Sequence, residues 1–99
     1  DSDTPLIWAC KNRNENIVKL LIENGVDLSK VNKDGDTPLI WACRMKRENR
    51  NDDIAKFLIE NGADLNKANK DGNTPLIIAC ESEHIYRHIV INLLIKNGA

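Results

Sequence analysis

Internal repetition is the feature of this sequence that most restricts its fold. Two short motifs, Thr-Pro-Leu-Ile and Asn-Gly, each occur three times in alternation. They begin at Thr4, Thr37 and Thr74 and at Asn24, Asn61 and Asn97, respectively. Each Thr-Pro-Leu-Ile is followed at one fixed distance by Ala-Cys, and the distance from Asn-Gly to the next Thr-Pro is also constant. Such a period indicates a stacked repeat architecture, in which each unit is covered by its neighbours.

Each unit carries the signals of two helices joined by a turn. Threonine is a preferred N-cap and proline suits the first helical position, so we predict that a first helix starts at Thr4 and at its two copies. A second helix follows from Ile17, and its apolar residues cover most of its circumference, so neighbouring units must bury it. Gly25 suits a left-handed helix end, and Asp34-Gly35 predicts a projecting loop or short hairpin between units.

The units differ in length at one place, between Ala-Cys and the second helix. Seven residues before each Asn-Gly align without gaps, and these segments are 17–23, 54–60 and 90–96. Unit 2 has four extra residues and unit 3 has three. Each insertion is close to one helical turn of about 3.6 residues, so we predict that it extends a helix or forms a compact loop.

These motifs resemble the ankyrin repeat: Thr-Pro-Leu, Ala-Cys, Ile-Val-x-x-Leu-Leu, Asn-Gly-Ala-Asp-Leu-Asn and Lys-Asp-Gly. The resemblance implies an all-α fold, an α-solenoid of three stacked helix-turn-helix repeats with projecting hairpin-like loops. We expect one domain over 1–99, with repeat 1 at about 3–35, repeat 2 at about 36–72 and repeat 3 at about 73–99. We further expect this domain to be a segment of a longer array.

The sequence departs from the family pattern at the core and at the ends. The histidine usual after Thr-Pro-Leu is replaced by Ile7, Ile40 and Ile77, so we expect apolar packing to hold the loops instead. Terminal repeats normally have a polar outer face. Here apolar residues such as Leu6 and Leu94 lie close to both ends, which suggests that the ends meet further repeats or a partner.

Charge and hydropathy exclude two classes of partner. Lysine and arginine total 14 against 15 acidic residues, and the two signs are interspersed. The sequence therefore lacks the basic footprint of a nucleic-acid-binding protein. It also has no apolar run near the roughly 20 residues that cross a bilayer. We predict no nucleic-acid partner and no membrane association.

The three cysteines occupy equivalent positions of the repeat, at Cys10, Cys43 and Cys80. Equivalent points of stacked helices lie about 8–10 Å apart, whereas a disulfide needs Cα atoms within about 7 Å. We therefore predict three reduced, buried, small packing residues. Reduced cysteines favour an intracellular protein, cytoplasmic or nuclear.

Few residues have the spacing that metal binding or catalysis requires. His84 and His88 would share one helix face with Glu81 one turn earlier, which is a possible zinc site and leaves a metal-responsive element as one alternative function. We favour a solvated helix face instead, and predict no metal and no cofactor. Asp52 and Asp53 are interpreted as favourable charges at a helix N-terminus. No catalytic constellation is evident, so we predict that the protein is not an enzyme.

Trp8 and Trp41 share one repeat position, which isoleucine fills in unit 3. We interpret both as packing residues, with interface anchors as the alternative, since tryptophan is common in binding hot spots. The basic stretch from Arg44 to Arg50 is interpreted as a solvated connection, with contact to phosphate or an acidic partner as the alternative.

The resemblance implies a non-catalytic scaffold that binds another protein through its loop tips and the concave surface of its first helices. Residues at these positions vary between units, whereas the leucine, alanine and glycine positions repeat. The predicted contact residues are Lys11, Asn12, Lys33, Asp34, Asp36, Arg44, Met45, Lys70, Asp71, Asn73, Glu81 and Ser82. The alternative is a structural array that associates with itself end to end.

Overall fold

The computed structural model describes residues 3–44 and 51–99, and these residues form six α-helices. The helices are α1 (Pro5–Lys11), α2 (Glu15–Glu23), α3 (Pro38–Cys43), α4 (Asp52–Glu60), α5 (Pro75–Glu81) and α6 (Arg87–Lys96). Each first helix packs on the second helix of its own unit, and the units stack so that α1, α3 and α5 form one layer while α2, α4 and α6 form the other. The predicted all-α solenoid of stacked helix pairs is confirmed.

The first helices start as the Thr-Pro signal predicts. The side-chain oxygens of Thr4, Thr37 and Thr74 accept hydrogen bonds from the backbone N–H groups three residues later, and proline follows each threonine. The second helices start in different ways. The side chain of Asn14 caps α2, whereas α4 has Asp52 and Asp53 in its first turn, as predicted for carboxylates near a helix N-terminus.

The core lies between the two helix layers and continues from unit to unit. Leu39 and Ile40 of α3, Leu58 of α4 and Leu94 of α6 are essentially inaccessible to solvent. They belong to one cluster that includes buried residues of all three helix pairs. The small Ala42 and Cys43 belong to it too, and small residues allow helices to approach closely. Among the described residues these side chains form one continuous core across all three units, which is expected of a repeat array.

The loops between units are hairpin-like, and asparagine side chains hold them. The backbone N–H of Asn32 donates to the carbonyl of Asp36, and that of Gly35 donates to the carbonyl of Asn32. The side-chain Oδ1 of Asn32 also accepts from the N–H groups of Asp34 and Asp36, at 3.0 and 3.1 Å. Asn69 repeats this pattern in the second loop. The prediction that isoleucine packing holds the loop backbone is therefore wrong, because these polar contacts hold it.

The insertion of unit 3 forms a compact loop, one of the two predicted outcomes. Helix α5 ends at Glu81 and α6 begins at Arg87, and α6 has 10 residues where α2 has 9. Most of the added length therefore lies in the connection. In unit 2, α4 has the same 9 residues as α2, so the insertion does not lengthen that helix. Residues 45–50 of that connection lie outside the described part of the chain.

Exposure at equivalent positions depends on the place of a unit in the stack. Cys10 and Cys43 are buried as predicted, but Cys80 is exposed, because none of the described helices packs on that side of α5. Trp8, predicted to pack, is 52% exposed, because none of the described helices covers that side of α1. The residues expected to form apolar ends, Leu6 and Leu94, are fully buried instead.

Candidate functional site

The structure places most of the predicted contact residues on the open surface of the loops and first-helix ends. Arg44 and Asn73 are half-buried, Asp36 and Ser82 are buried, and Met45 lies outside the described residues. The exposed residues, which we call the tip surface, are Lys11, Asn12, Lys33, Asp34, Lys70, Asp71 and Glu81.

Asp36 was predicted to be an exposed loop-tip contact, and this prediction is wrong. The residue is 3% exposed because both carboxylate oxygens bind groups within the fold. Oδ2 accepts from Nη1 of Arg44 at 2.8 Å, and Oδ1 accepts from Nδ2 of Asn69 at 2.9 Å. Asp36 therefore connects the end of α3 to the next loop, and this buried connection holds the loops that carry the tip surface.

Unit 1 has the same arrangement at its own copies of these positions. Asp3 Oδ2 accepts from Lys11 Nζ at 2.6 Å, and Oδ1 accepts from Asn32 Nδ2 at 3.2 Å. The hydrogen bond from Lys11 is the main reason that the pKa of Asp3 lies below its usual value of 3.8. In unit 3 the corresponding residues are Asn73 and Glu81, which cannot form this acid–base pair.

The loops are also bonded to each other. The backbone N–H of Lys70 donates to the carbonyl of Asp34 at 3.1 Å, and Lys67 Nζ donates to the carbonyl of Ser29 at 3.0 Å. Gly35 makes this contact possible, since its φ is +76° and a Cβ there would lie 2.8 Å from the backbone nitrogen of Lys70. The two loops therefore present their tips in fixed relative positions.

Trp41 joins the first-helix ends of units 1 and 2. Lys11 Nζ lies 5.1 Å from the centre of its ring, and Arg44 Cζ lies 5.0 Å from it. Both distances fall within the range of cation–π attraction. The packing interpretation therefore fits Trp41, which is half-buried between two cations, and fails for Trp8.

The unit-3 insertion overturns two predictions. Ser82, predicted to be a contact residue, is buried, and its Oγ accepts from the N–H of His84. His84 and His88 do not share a helix face, because α6 begins only at Arg87. His84 is not solvated either: it is buried, and its Nδ1 accepts from the N–H of Tyr86 at 3.0 Å.

The described residues offer little that could support reaction chemistry. Burial raises the pKa of the Cys10 and Cys43 thiols to about 12, so neither is a reactive thiolate at neutral pH. Across residues 3–44 and 51–99, no three side chains of the His, Cys, Asp and Glu types are grouped as metal ligands would be. In the same residues, no helix has both the length and the apolar character needed to cross a bilayer.

The most important residues that the sequence interpretation overlooked are Asn32 and Asn69. Both organise a loop through Oδ1, and through Nδ2 both bind the aspartate at the start of their own repeat. A signal for them does exist in the sequence. Asparagine stands at the same place in both copies of Asn-Lys-Asp-Gly, and a short polar side chain beside a turn commonly bonds to the loop backbone.

Comparisons with known proteins agree on one family. A family model described as ankyrin repeats (3 copies) matches residues 1–69, and one described as ankyrin repeats (many copies) matches residues 45–95. The crystal structure of the ankyrin repeat protein EF0377 is similar, with a TM-score of 0.81 and 32% identity over 92% of this chain. This chain covers 45% of that protein, which is less than half of its length. The search of curated proteins gave no match.

Ankyrin repeats are generally protein–protein interaction modules, and the family is typically non-enzymatic. The two family models together extend over nearly all of the sequence, and the structural match has the same stacked helix pairs. On these grounds the chain belongs to the ankyrin repeat family.

Proposed function

We propose that this protein is a non-catalytic scaffold that binds another protein through its tip surface. The observation that carries the proposal is the buried network beneath that surface. Asp36 and Asn69 fix one loop against the next, and the exposed charges of Lys33, Asp34 and Lys70 are mounted on those loops. An ordered surface loses less conformational entropy on binding than a mobile one.

The chemistry of the tip surface favours a polar interface with both signs of charge. Each loop presents a lysine next to an aspartate, as Lys33-Asp34 and Lys70-Asp71, and all four are exposed. Interleaved charges of this kind contribute more to specificity and association rate than to affinity. We expect a partner with a complementary mixed pattern, and association that slows as the salt concentration rises.

Two predicted contact residues have a different role in this proposal. Asp36 is buried and Arg44 is bonded to it, so both position the surface and Asp36 makes no direct contact with a partner. Trp8 extends this surface, because it is exposed on α1, three residues before Lys11. An exposed tryptophan beside charged residues is typical of a binding hot spot.

Affinity capture with matched variants tests the proposal. The wild-type chain and the double variant Lys33→Glu/Lys70→Glu would be used to capture proteins from a cell lysate, with quantitative mass spectrometry as the measurement. The control is Lys56→Glu/Lys96→Glu, which makes the same change in net charge on exposed residues of the second helices. We expect the tip variant to lose partners that the control retains. Equal retention by both variants would contradict the assigned surface.

We also infer an intracellular location from the thiols. Cys10, Cys43 and Cys80 are all free, and two of them lie in the core. Free thiols persist in the reducing conditions of the cytosol and nucleus. Fractionation of cells that express a tagged chain would test this inference.

A further inference from the structure

Residues 82–86 of unit 3, which we call the insertion loop, are closed by hydrogen bonds at both ends. At the start, Ser82 Oγ accepts from the N–H of His84 at 3.2 Å. At the end, the N–H of Arg87 donates to the carbonyl of His84 at 3.1 Å, and Arg87 Nη1 donates to the carbonyl of Ser82 at 2.8 Å. Both backbone groups of His84 therefore belong to the hydrogen-bond pattern that closes this loop.

The ring of His84 makes a further bond, and this bond fixes its protonation state. Nδ1 lies 3.0 Å from the backbone nitrogen of Tyr86, which can only donate. A ring nitrogen accepts such a bond only when it carries no proton, so His84 is neutral in this structure and its proton is on Nε2. The residue is 7% exposed, so water has little access to replace the bond.

His88 makes the opposite kind of bond. Its Nδ1 lies 3.2 Å from the carbonyl oxygen of Ile85, which can only accept. This nitrogen therefore carries a proton, in the neutral ring as well as in the charged one. Both histidine rings lie beside the ring of Tyr86, with centres 5.4 and 6.5 Å away. Protonation would thus remove the ring bond of His84 and preserve that of His88.

The start of α6 depends on the same loop. Helix α6 has no side-chain cap, whereas Asn14 caps α2. It also has no acidic residue in its first turn, unlike α2 and α4. Its first residue, Arg87, is held instead by the bond from its N–H to the carbonyl of His84. A change at His84 therefore reaches the first turn of α6.

The charged and titratable groups around His84 come from its own segment and from the two helices that pack against α6. Asp52, in the first turn of α4, has the position in that helix that His88 has in α6. Among the described residues, the other such groups are Cys80, Glu81, Glu83, Tyr86, Arg87 and His88. A charge added to His84 would meet both signs, so loss of the acceptor, and not repulsion, is the force that opens the loop.

We propose that the insertion loop is a pH-dependent element, closed while His84 is neutral and opened when His84 takes up a proton. Histidine is the residue whose charge normally changes between about pH 8 and about pH 5. The open form binds this proton better, because Nδ1 is then released from its role as an acceptor. A fall in pH therefore shifts the loop from closed to open and loosens the first turn of α6. No residue of the insertion loop belongs to the tip surface, so the proposal does not depend on the binding function proposed above.

Nitrogen NMR of the histidine rings tests the proposal on the wild-type chain. At the alkaline end of this range we expect His84 to have an unprotonated Nδ1 and a protonated Nε2, and His88 to have a protonated Nδ1. As the pH falls, the amide resonance of Tyr86 should follow the titration of the His84 ring. Its protection from hydrogen exchange should fall about tenfold, which corresponds to the loss of one hydrogen bond.

Three results of that titration would overturn the proposal. The first is a protonated Nδ1 in His84 at the alkaline end. The second is a His84 ring that is still neutral at the acidic end. The third is a Tyr86 amide that keeps its resonance and its protection while the His84 ring becomes charged.

The variant His84→Asn separates the acceptor from the charge. Oδ1 of an asparagine can accept from the N–H two residues later, as Asn32 does from Asp34, and an asparagine does not titrate. We expect this variant to keep the loop closed and the Tyr86 resonance constant over the whole pH range. The matched control, His88→Asn, removes a titratable ring from the same segment and should respond to pH like the wild type. A pH response that persists in His84→Asn, or that disappears in His88→Asn, would assign the effect to a group other than His84.

Discussion

Unit 2 and unit 3 contain nearly the same first helix, yet the two helices have different surroundings. Pro38–Cys43 and Pro75–Glu81 begin with the same residues and the same threonine cap. Ile40 and Cys43 are buried, whereas their copies Ile77 and Cys80 are exposed. The sequence of a unit therefore does not decide its own burial. The neighbouring unit does, so the stability of this protein resides largely in the junctions between units.

Thiol labelling should show the largest difference between the two units. Cys80 is exposed, whereas Cys43 is buried and burial raises its pKa to about 12. At pH 8 we expect Cys80 to react with a thiol reagent in the native state, and Cys43 to react about a thousandfold more slowly, because it becomes accessible only when the structure opens. Mass spectrometry of quenched samples measures both rates. Similar rates at the two sites would contradict the difference in exposure between Cys43 and Cys80.

Truncation of the paired isoleucines should show the next largest effect. Ile40→Ala leaves a cavity in a packed junction and should lower the free energy of unfolding by about 2–5 kcal/mol. Ile77→Ala removes the same atoms from a site that is 41% exposed, and should cost less than about 1.5 kcal/mol. Urea denaturation measures both values. Equal losses would contradict the conclusion that junctions rather than units carry the stability.

The two loop glycines provide a smaller test of the same comparison. Gly35 and Gly72 both have positive φ, +76° and +80°, but only Gly35 faces a following loop, where an added Cβ would lie 2.8 Å from the backbone nitrogen of Lys70. Alanine should cost about 1–2 kcal/mol at either site because of the backbone conformation. At Gly35 the clash should add about 1–2 kcal/mol. Thermal or urea unfolding of the two variants measures the difference, and no difference would count against the close contact between the loops.

The smallest expected effect concerns pH and the ion pair that unit 1 has and unit 3 lacks. Because the pKa of Asp3 in the fold lies below its usual value of 3.8, the ionised carboxylate stabilises the folded state above that pH. This contribution is lost as the pH falls through the folded pKa. The pair with Lys11 is partly exposed, so we expect less than about 1 kcal/mol. The difference in unfolding free energy between the wild type and Asp3→Asn should therefore shrink between about pH 5 and pH 2. If the difference in unfolding free energy stayed constant over this pH range, the lowered pKa of Asp3 would not contribute to stability.

Local signals in the sequence were enough to predict the helices. Thr-Pro predicts the start of each first helix, and Gly25 predicts the end of a second helix through its left-handed conformation, with φ of +81°. The resemblance to ankyrin repeats adds the stacking of the helix pairs, since each helix is too apolar to remain uncovered. These features depend on neighbours a few residues away or on the repeat pattern itself.

The site was harder to predict because its geometry depends on partners far away along the chain. Asp36 follows a glycine turn and resembles an exposed residue, but it is buried by Arg44 and by Asn69, a residue of the next loop. His84 resembles a helical histidine, but the insertion places it in a loop before α6 begins. Neither outcome can be derived from the spacing of residues within a single unit.

The bonded loops have one more consequence, which concerns distance rather than energy. The N–H of Lys70 is bonded to the carbonyl of Asp34 at 3.1 Å, and this bond, together with those from Lys67 to Ser29 and from Asn69 to Asp36, fixes the spacing between the tips of successive hairpins. The backbone positions of Lys33 and Lys70, one at each tip, therefore lie at a fixed distance from each other. A ligand whose acidic groups repeat at that spacing would meet both lysines without any rearrangement of the loops.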